Sequence, residues 1–239
     1  MMAISEGKVV DDKGESIPLS SSISLNEAST LYNLIRHTAP ASTAEIGFAQ
    51  GISTLAILQA QEHNNGGYHY VVDPFQGSWR NAGVAMVDRA KLSHRMTLYE
   101  TFPEEVFPSL PHLDFVFIDS SHLFDLTMLE FVLADKRLRV GGIIGFHDTW
   151  MRSIKKVLSY ILMNRAYRPL TVSERCNWSK LQKVTSFVSS VVSHLPYNEK
   201  VFSSRIVAPF HTLGLDPGNL VFVQKQDNDN RDWDFHAEF

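Results

Sequence analysis

Apolar positions along this chain fall into short runs that switch between the strand and the helix period. Ala41–Ile46 suits a short strand, and Ile52–Gln61 follows with helix formers whose apolar members are spaced for one face. Tyr68–Asp73, Arg95–Tyr99, Leu113–Asp119, Ile143–Phe146, Tyr167–Val172 and Leu220–Gln224 read as further strands. Leu113–Asp119 (LDFVFID) is nearly all apolar, the pattern of a strand covered on both faces. Arg80–Leu92, Pro103–Leu110, Leu123–Arg139 and Thr149–Arg165 have helical composition or spacing. In the third of these, Leu126, Leu129, Val132 and Leu133 share one side, and Gly141-Gly142 breaks the helix. Ser24 and Glu27 have capping-box spacing, which predicts a helix over Leu25–His37 stopped by Pro40.

Strands alternating with helices imply right-handed βαβ units, so the expected class is α/β with a mostly parallel sheet. The expected division is an arm and helix at 1–40, a main domain at 41–225 with an insertion at 173–217, and a polar tail at 226–239. Within the insertion, Lys180–His194 has amphipathic helical spacing. Residues 1–24 are expected to be a loosely packed arm and the tail to be frayed. Such sheets bind ligands off the carboxyl ends of their strands. Asp73, Asp119 and Asp148 all fall at that edge.

Composition narrows the function. The 239 residues are 44% hydrophobic, enough to bury one full core. A net charge of -4 argues against nucleic acid or an anionic membrane as partner. One cysteine, Cys176, permits neither an intrachain disulfide nor a cysteine metal cluster. No apolar run reaches bilayer length and no signal-peptide core is present, so a cytoplasmic location is expected.

The stretch Glu45-Ile46-Gly47-Phe48-Ala49-Gln50-Gly51-Ile52-Ser53-Thr54 joins a strand to a helix through two glycines, a turn suited to binding a nucleotide cofactor. A dinucleotide fingerprint fails here, because Ala49 and Ile52 stand where its second and third glycines belong. An acid opens the loop, which favours a cofactor presenting a cation. S-adenosylmethionine carries an ammonium, a sulfonium and a carboxylate for the helix N-terminus. Asp73 ends the next strand, where an acid can accept hydrogen bonds from ribose hydroxyls.

EIGFAQGIST, VVDPF, FVFIDSSH and GGIIGFHDTW, in that order, resemble the motifs of a class I S-adenosylmethionine-dependent methyltransferase. The chain is similar in particular to the small-molecule O-methyltransferase-like group that includes cephalosporin hydroxylase and macrocin methyltransferase relatives. The resemblance spans residues 41–172 and implies a Rossmann-like, three-layer sandwich with a mostly parallel seven-stranded sheet. Leu220–Gln224 would be the last, antiparallel strand. The resemblance further implies that Glu45, Gly47 and Gly51 shape the methionine pocket, with Ser53 and Thr54 at the helix start. Asp73 would hold the ribose, with Phe75 and Trp79 in the loop over the cofactor. Glu100 and Thr101 would lie near the adenine, and Asp119 would border cofactor and acceptor.

The implied reaction is methyl transfer to the oxygen of a small molecule, with Asp119, His122 and His147 as catalytic candidates. Asp119, His147 and Asp148 stand where the group holds a divalent cation, magnesium or manganese. His147 departs from the oxygen donor expected there. Imidazole favours manganese, iron or zinc, or leaves His147 as a general base without a metal. The competing functions are an NAD(P)-dependent oxidoreductase and a catalytically degenerate methyltransferase-like binding protein. A homodimer is the expected assembly. His63, His69, His94 and His112 are assigned to surface or turn positions.

Overall fold

Residues 2–170 and 219–239 are described by the structure, a computed structural model. The chain opens with a short helix α1 (Met2–Glu6) and an antiparallel hairpin of β1 (Lys8–Val10) and β2 (Ser16–Pro18). This arm is packed down, contrary to the loose arm expected. Val9 and Asp11 are buried, and Arg89 donates to the Val10 and Asp11 carbonyls at 2.7 and 2.9 Å. A run of polar letters hid this anchoring because the anchor residues lie some 80 positions downstream.

Helix α2 (Leu25–Thr38) begins at the predicted capping box: Ser24 Oγ accepts from Glu27 N, and Glu27 Oε2 accepts from Ser24 N at 2.6 Å. Then β3 (Ser42–Ile46), α3 (Ile52–His63), β4 (Tyr68–Val72), α4 (Ala82–Arg89), β5 (Met96–Tyr99), α5 (Pro103–Val106), β6 (Leu113–Ile118), α6 (Phe124–Arg137), β7 (Leu138–Phe146), α7 (Arg152–Asn164), β8 (Tyr167–Leu170) and β9 (Val221–Lys225) follow. One seven-stranded sheet has the order β5-β4-β3-β6-β7-β9-β8, and only β9 runs antiparallel to its neighbours. Thr171 and Val172, the end of the expected strand from Tyr167, lie outside the described residues, as do Cys176, the expected helix Lys180–His194 and all of 173–217.

Both faces of the sheet are covered. Val116 and Ile118 of β6 pack with α6 and α7, while Phe115 and Phe117 face α2 and α3. That two-sided burial explains the unbroken apolar run in β6. Helix α3 is buried on most of its surface, not on one face, because it lies between the sheet and α2. Gly141 and Gly142 sit inside β7 rather than ending α6, and the register of β6 against β7 shifts beside them. The tail also departs from expectation: Asn164 exchanges two hydrogen bonds of 2.9 Å with Ala237, and Phe239 packs edge-on against Tyr160.

No helix among the described residues is long and apolar enough to cross a membrane.

Candidate active site

Four parallel strands end in register. Ile46 pairs with Val72 and Ile118, and Ile118 with Phe146, so the next residues, Gly47, Asp73, Asp119 and His147, form one row beyond the sheet. The ladder continues through them by one bond each: Gly47 N donates to Val72 O, Asp119 N to Ile46 O and His147 N to Ile118 O, at 3.0, 3.0 and 3.2 Å. The sheet order reverses between β3 and β6. A cavity of about 780 Å³ opens above that point, lined by the glycine loop, the strand ends, the first turns of α6 and residues Ser20–Ile23 of the arm.

The two glycines serve the packing of the protein itself. Gly47 has φ +95°, and a Cβ there would lie 2.0 Å from the Asp119 carbonyl oxygen. Gly51 has φ +80°, and a Cβ there would meet the Gly83 Cα of α4 at 3.0 Å. The loop is therefore pressed against β6 and α4, which aims the first N–H groups of α3 into the cavity. Asp73 clamps it further. Its Oδ2 accepts from Phe48 N, Ala49 N and Gln76 Nε2 at 2.8–3.0 Å, and its Oδ1 accepts from Phe75 N at 2.7 Å.

Glu45 does not line the cavity. Its carboxylate is fully buried under α3, where it accepts from Thr54 Oγ1 and meets His69 Nε2 at 3.2 Å. His69 is buried as well, bonded on its other side to Thr43 Oγ1 at 2.7 Å, so it is no surface residue. Thr54, predicted at the cofactor, belongs to this buried chain, whereas Ser53 does line the cavity. Glu100 and Thr101 stay outside, and the wall is built by Phe102, Pro103 and Glu104 instead. Phe75 and Trp79 line the cavity as expected, with Phe75 edge-on to Phe102 at 6.2 Å. Trp150 is exposed and donates to Asp148 Oδ1 at 2.9 Å without lining it.

At the other end of the cavity, Asp119, His122, His147 and Asp148 converge, each with one ligand-type atom within 4.8 Å of the others. Asp119 Oδ1 meets His147 Nδ1 at 3.1 Å and His122 Nε2 at 3.2 Å, and His122 Nε2 also meets Asp148 Oδ2 at 3.2 Å. Burial pushes Asp119 up, yet hydrogen bonds from both histidines hold it at about 2. Burial pushes His147 down, but Asp119 and Glu27 outweigh it and raise it to about 10. The hydrogen bond to Asp119 likewise raises His122. His122 and Asp148 have φ +59° and +50°, and Ala49 across the cavity +45°. Left-handed backbone at non-glycine residues costs of order 1–2 kcal/mol each, and these three of the eight such residues described line the cavity.

A family model described as "Methyltransferase domain" matches residues 44–149. Residues 44–149 are thus similar to a methyltransferase domain. No curated protein matches the sequence significantly. Among solved structures, the O-methyltransferase from Bacillus cereus in complex with SAH shares 17% identity, covering 62% of this chain and 74% of that one, with TM-score 0.56. The O-methyltransferase TomG from Streptomyces achromogenes, involved in tomaymycin synthesis and in complex with SAM, shares 15% identity over 62% and 73% at TM-score 0.55. The SAH-bound methyltransferase PaMTH1 from Podospora anserina shares 12% identity over 86% and 80% at TM-score 0.53. The fold is thus the Rossmann-like class I methyltransferase fold.

The site draws on residues that sequence reasoning passed over. Ser20–Ile23 reach the cavity because Gln50 Oε1 accepts from Ser20 N and Ser21 N at 2.8 and 3.2 Å, tying arm to loop. Glu27 Oε1 reaches His147 Nε2 at 3.5 Å, and the Asn219 amide lies 3.0 Å from the same nitrogen. On α6 the shared side of the leucines does not coincide with the buried face. Leu126 and Leu129 are about 40% exposed and line the cavity, while Thr127, Glu130, Phe131 and Ala134 take the buried face. The signal was present in Glu130, an acid interrupting that apolar stripe.

Proposed function

We propose that the chain is an S-adenosylmethionine-dependent methyltransferase that methylates an oxygen of a small-molecule acceptor. The observation that carries this reading is one cavity holding the glycine loop at one end and the Asp119, His122, His147 and Asp148 cluster at the other. The chemistry of the loop fits the cofactor: α3 offers free N–H groups to its carboxylate. Asp73 Oδ1, which accepts only from Phe75 N, retains acceptor capacity for a ribose hydroxyl. Phe75 and Phe102 provide apolar surface for its base.

When bound, the cofactor supplies an electrophilic methyl carbon on a positively charged sulfur. The chain's own part is to align the acceptor, exclude water and take the hydroxyl proton. Alignment can contribute about 7–11 kcal/mol in well-oriented systems, and a positioned base about 10²–10⁴-fold. His147, held between Asp119 and Glu27, fixes the cluster, and His122, paired with Asp119 and Asp148, is the candidate base for the acceptor proton. Two imidazoles with two carboxylates also form a donor set that fits manganese, iron or zinc better than magnesium. An ion there would be held by these four residues and would lower the acceptor hydroxyl's pKa. The reading includes a cytoplasmic setting and a homodimer, supported by the single cysteine in the sequence and by how often twofold assemblies occur.

Calorimetric titration tests it. S-adenosylmethionine should bind the wild type and bind Asp73→Asn at least about tenfold more weakly, since that change disturbs both the loop clamp and the ribose contact. Binding of NAD in place of S-adenosylmethionine would overturn the assignment in favour of an oxidoreductase.

A further inference from the structure

The wall of the cavity that faces the strand-end cluster has an unusual chemistry. Glu130 is 6% exposed, lines the cavity, and uses only one oxygen: Oε1 accepts from Ser120 Oγ, while Oε2 has no hydrogen-bond partner. A buried carboxylate oxygen left unpaired is costly, and the cost is relieved when a donor arrives. Burial accordingly pushes Glu130 up to about 7, and nearby Glu104 adds to that push. Leu126 and Leu129 flank it on α6, both exposed to the cavity. Among the described residues, no lysine or arginine lines the cavity, whereas Glu104, Glu130 and Asp148 do.

An acceptor bearing a carboxylate or phosphate beside Glu130 would meet the like charge of Glu130 and Glu104 with no lysine or arginine among the described lining residues to offset it, while the imidazoles of His122 and His147 are already paired with Asp119. A body with no hydrogen-bond donor at that wall would leave Glu130 Oε2 unpaired. Resting on the methyl-transfer reading above, we infer that the acceptor is a hydroxyl compound with an apolar, ring-sized body and a protonated amine, and that Glu130 holds the amine. Leu126 and Leu129 cover the body, which sets its hydroxyl toward His122 and Asp119. The amine serves as an anchor only; the oxygen is the methylated atom.

Three catechols with the same ring separate the alternatives: 3,4-dihydroxyphenethylamine, the uncharged 4-ethylcatechol and 3,4-dihydroxyphenylacetate. Each is titrated calorimetrically into the full-length protein saturated with S-adenosylhomocysteine, so binding is read without turnover. A charge-assisted hydrogen bond predicts the amine to bind at least about tenfold tighter than the uncharged compound, with the carboxylate weakest. Glu130→Gln should bring the amine and uncharged compounds to within about twofold of each other. Leu126→Lys, at an exposed position that tolerates a charge, should weaken the amine and strengthen the carboxylate, which keeps the test alive if Glu130→Gln does not fold.

Equal binding of all three compounds, tightest binding of the carboxylate, an amine preference that survives Glu130→Gln, or Leu126→Lys leaving the order unchanged would each overturn the inference. Titration of S-adenosylhomocysteine alone reads the underlying assignment separately. If it binds and the amine preference is absent, only the acceptor inference falls; if it does not bind, both fall.

Discussion

Glu130 is where a single carboxyl group sets a measurable property of the fold. An ordinary glutamate titrates near 4.5, and burial raises this one to about 7 against the opposing hydrogen bond from Ser120. Between those values the folded chain keeps a proton that the unfolded chain has released. Stability therefore falls as pH rises from about 4.5 to about 7 and levels off above. At about 1.4 kcal/mol per unit, the loss is on the order of 3 kcal/mol. Thermal unfolding across that range should fall more steeply for the wild type than for Glu130→Gln, which has no proton to lose; parallel curves would show that the group is hydrated. Identity alone located some site residues, since acids closing strands are visible as letters. It did not show that Glu45 turns under α3 toward His69 and Thr54, or that Asp73 is mostly occupied by backbone N–H groups. Side-chain direction depends on neighbours 20 or so positions away.

Among the elements, the closing strands depend on a buried ionic knot. Asp135 of α6 accepts from Tyr167 Oη at 2.7 Å, pairs with Arg165, and meets Lys225 Nζ at 3.2 Å. Asp135, Arg165 and Lys225 are each less than a tenth exposed. It thereby joins α6 to β8 and β9, the two strands that complete the sheet. Asp135→Ala leaves buried Lys225 without a carboxylate and Arg165 with Asp229 alone, and breaking a buried pair typically costs about 3–5 kcal/mol. Urea denaturation should show that loss in the midpoint, and a change below about 1 kcal/mol would mean the cations find water. Element boundaries were legible where a local rule decides them, as at the Ser24 and Glu27 capping box. The bounds of α6 were legible too, but not its buried face, which carries Thr127, Glu130 and Asp135, so apolar letters pointed to the cavity side.

For the molecule as a whole, the arm, the glycine loop and the strand ends meet around one cavity, so ligand binding should be felt throughout. A ligand present at about a hundred times its dissociation constant adds about 2.7 kcal/mol to the folded state. S-adenosylhomocysteine should accordingly raise the unfolding midpoint by several degrees. Gln50→Ala, which frees Ser20 N and Ser21 N from the loop, should reduce that rise. An undiminished rise in the variant would show that the arm does not report on the cofactor end of the cavity.

Local patterning determined the alternation of strands and helices, the glycine turn and the row of acids at the carboxyl edge. Each of these follows from backbone geometry and burial within a few neighbouring residues. Only the tertiary structure decided what those acids touch, because hydrogen-bond partners such as Gln50, Glu27 and Asn219 come from segments that sequence distance keeps apart. It also decided that Leu126 and Leu129 of α6 line a cavity, since that helix turns Thr127, Phe131 and Ala134 to the core.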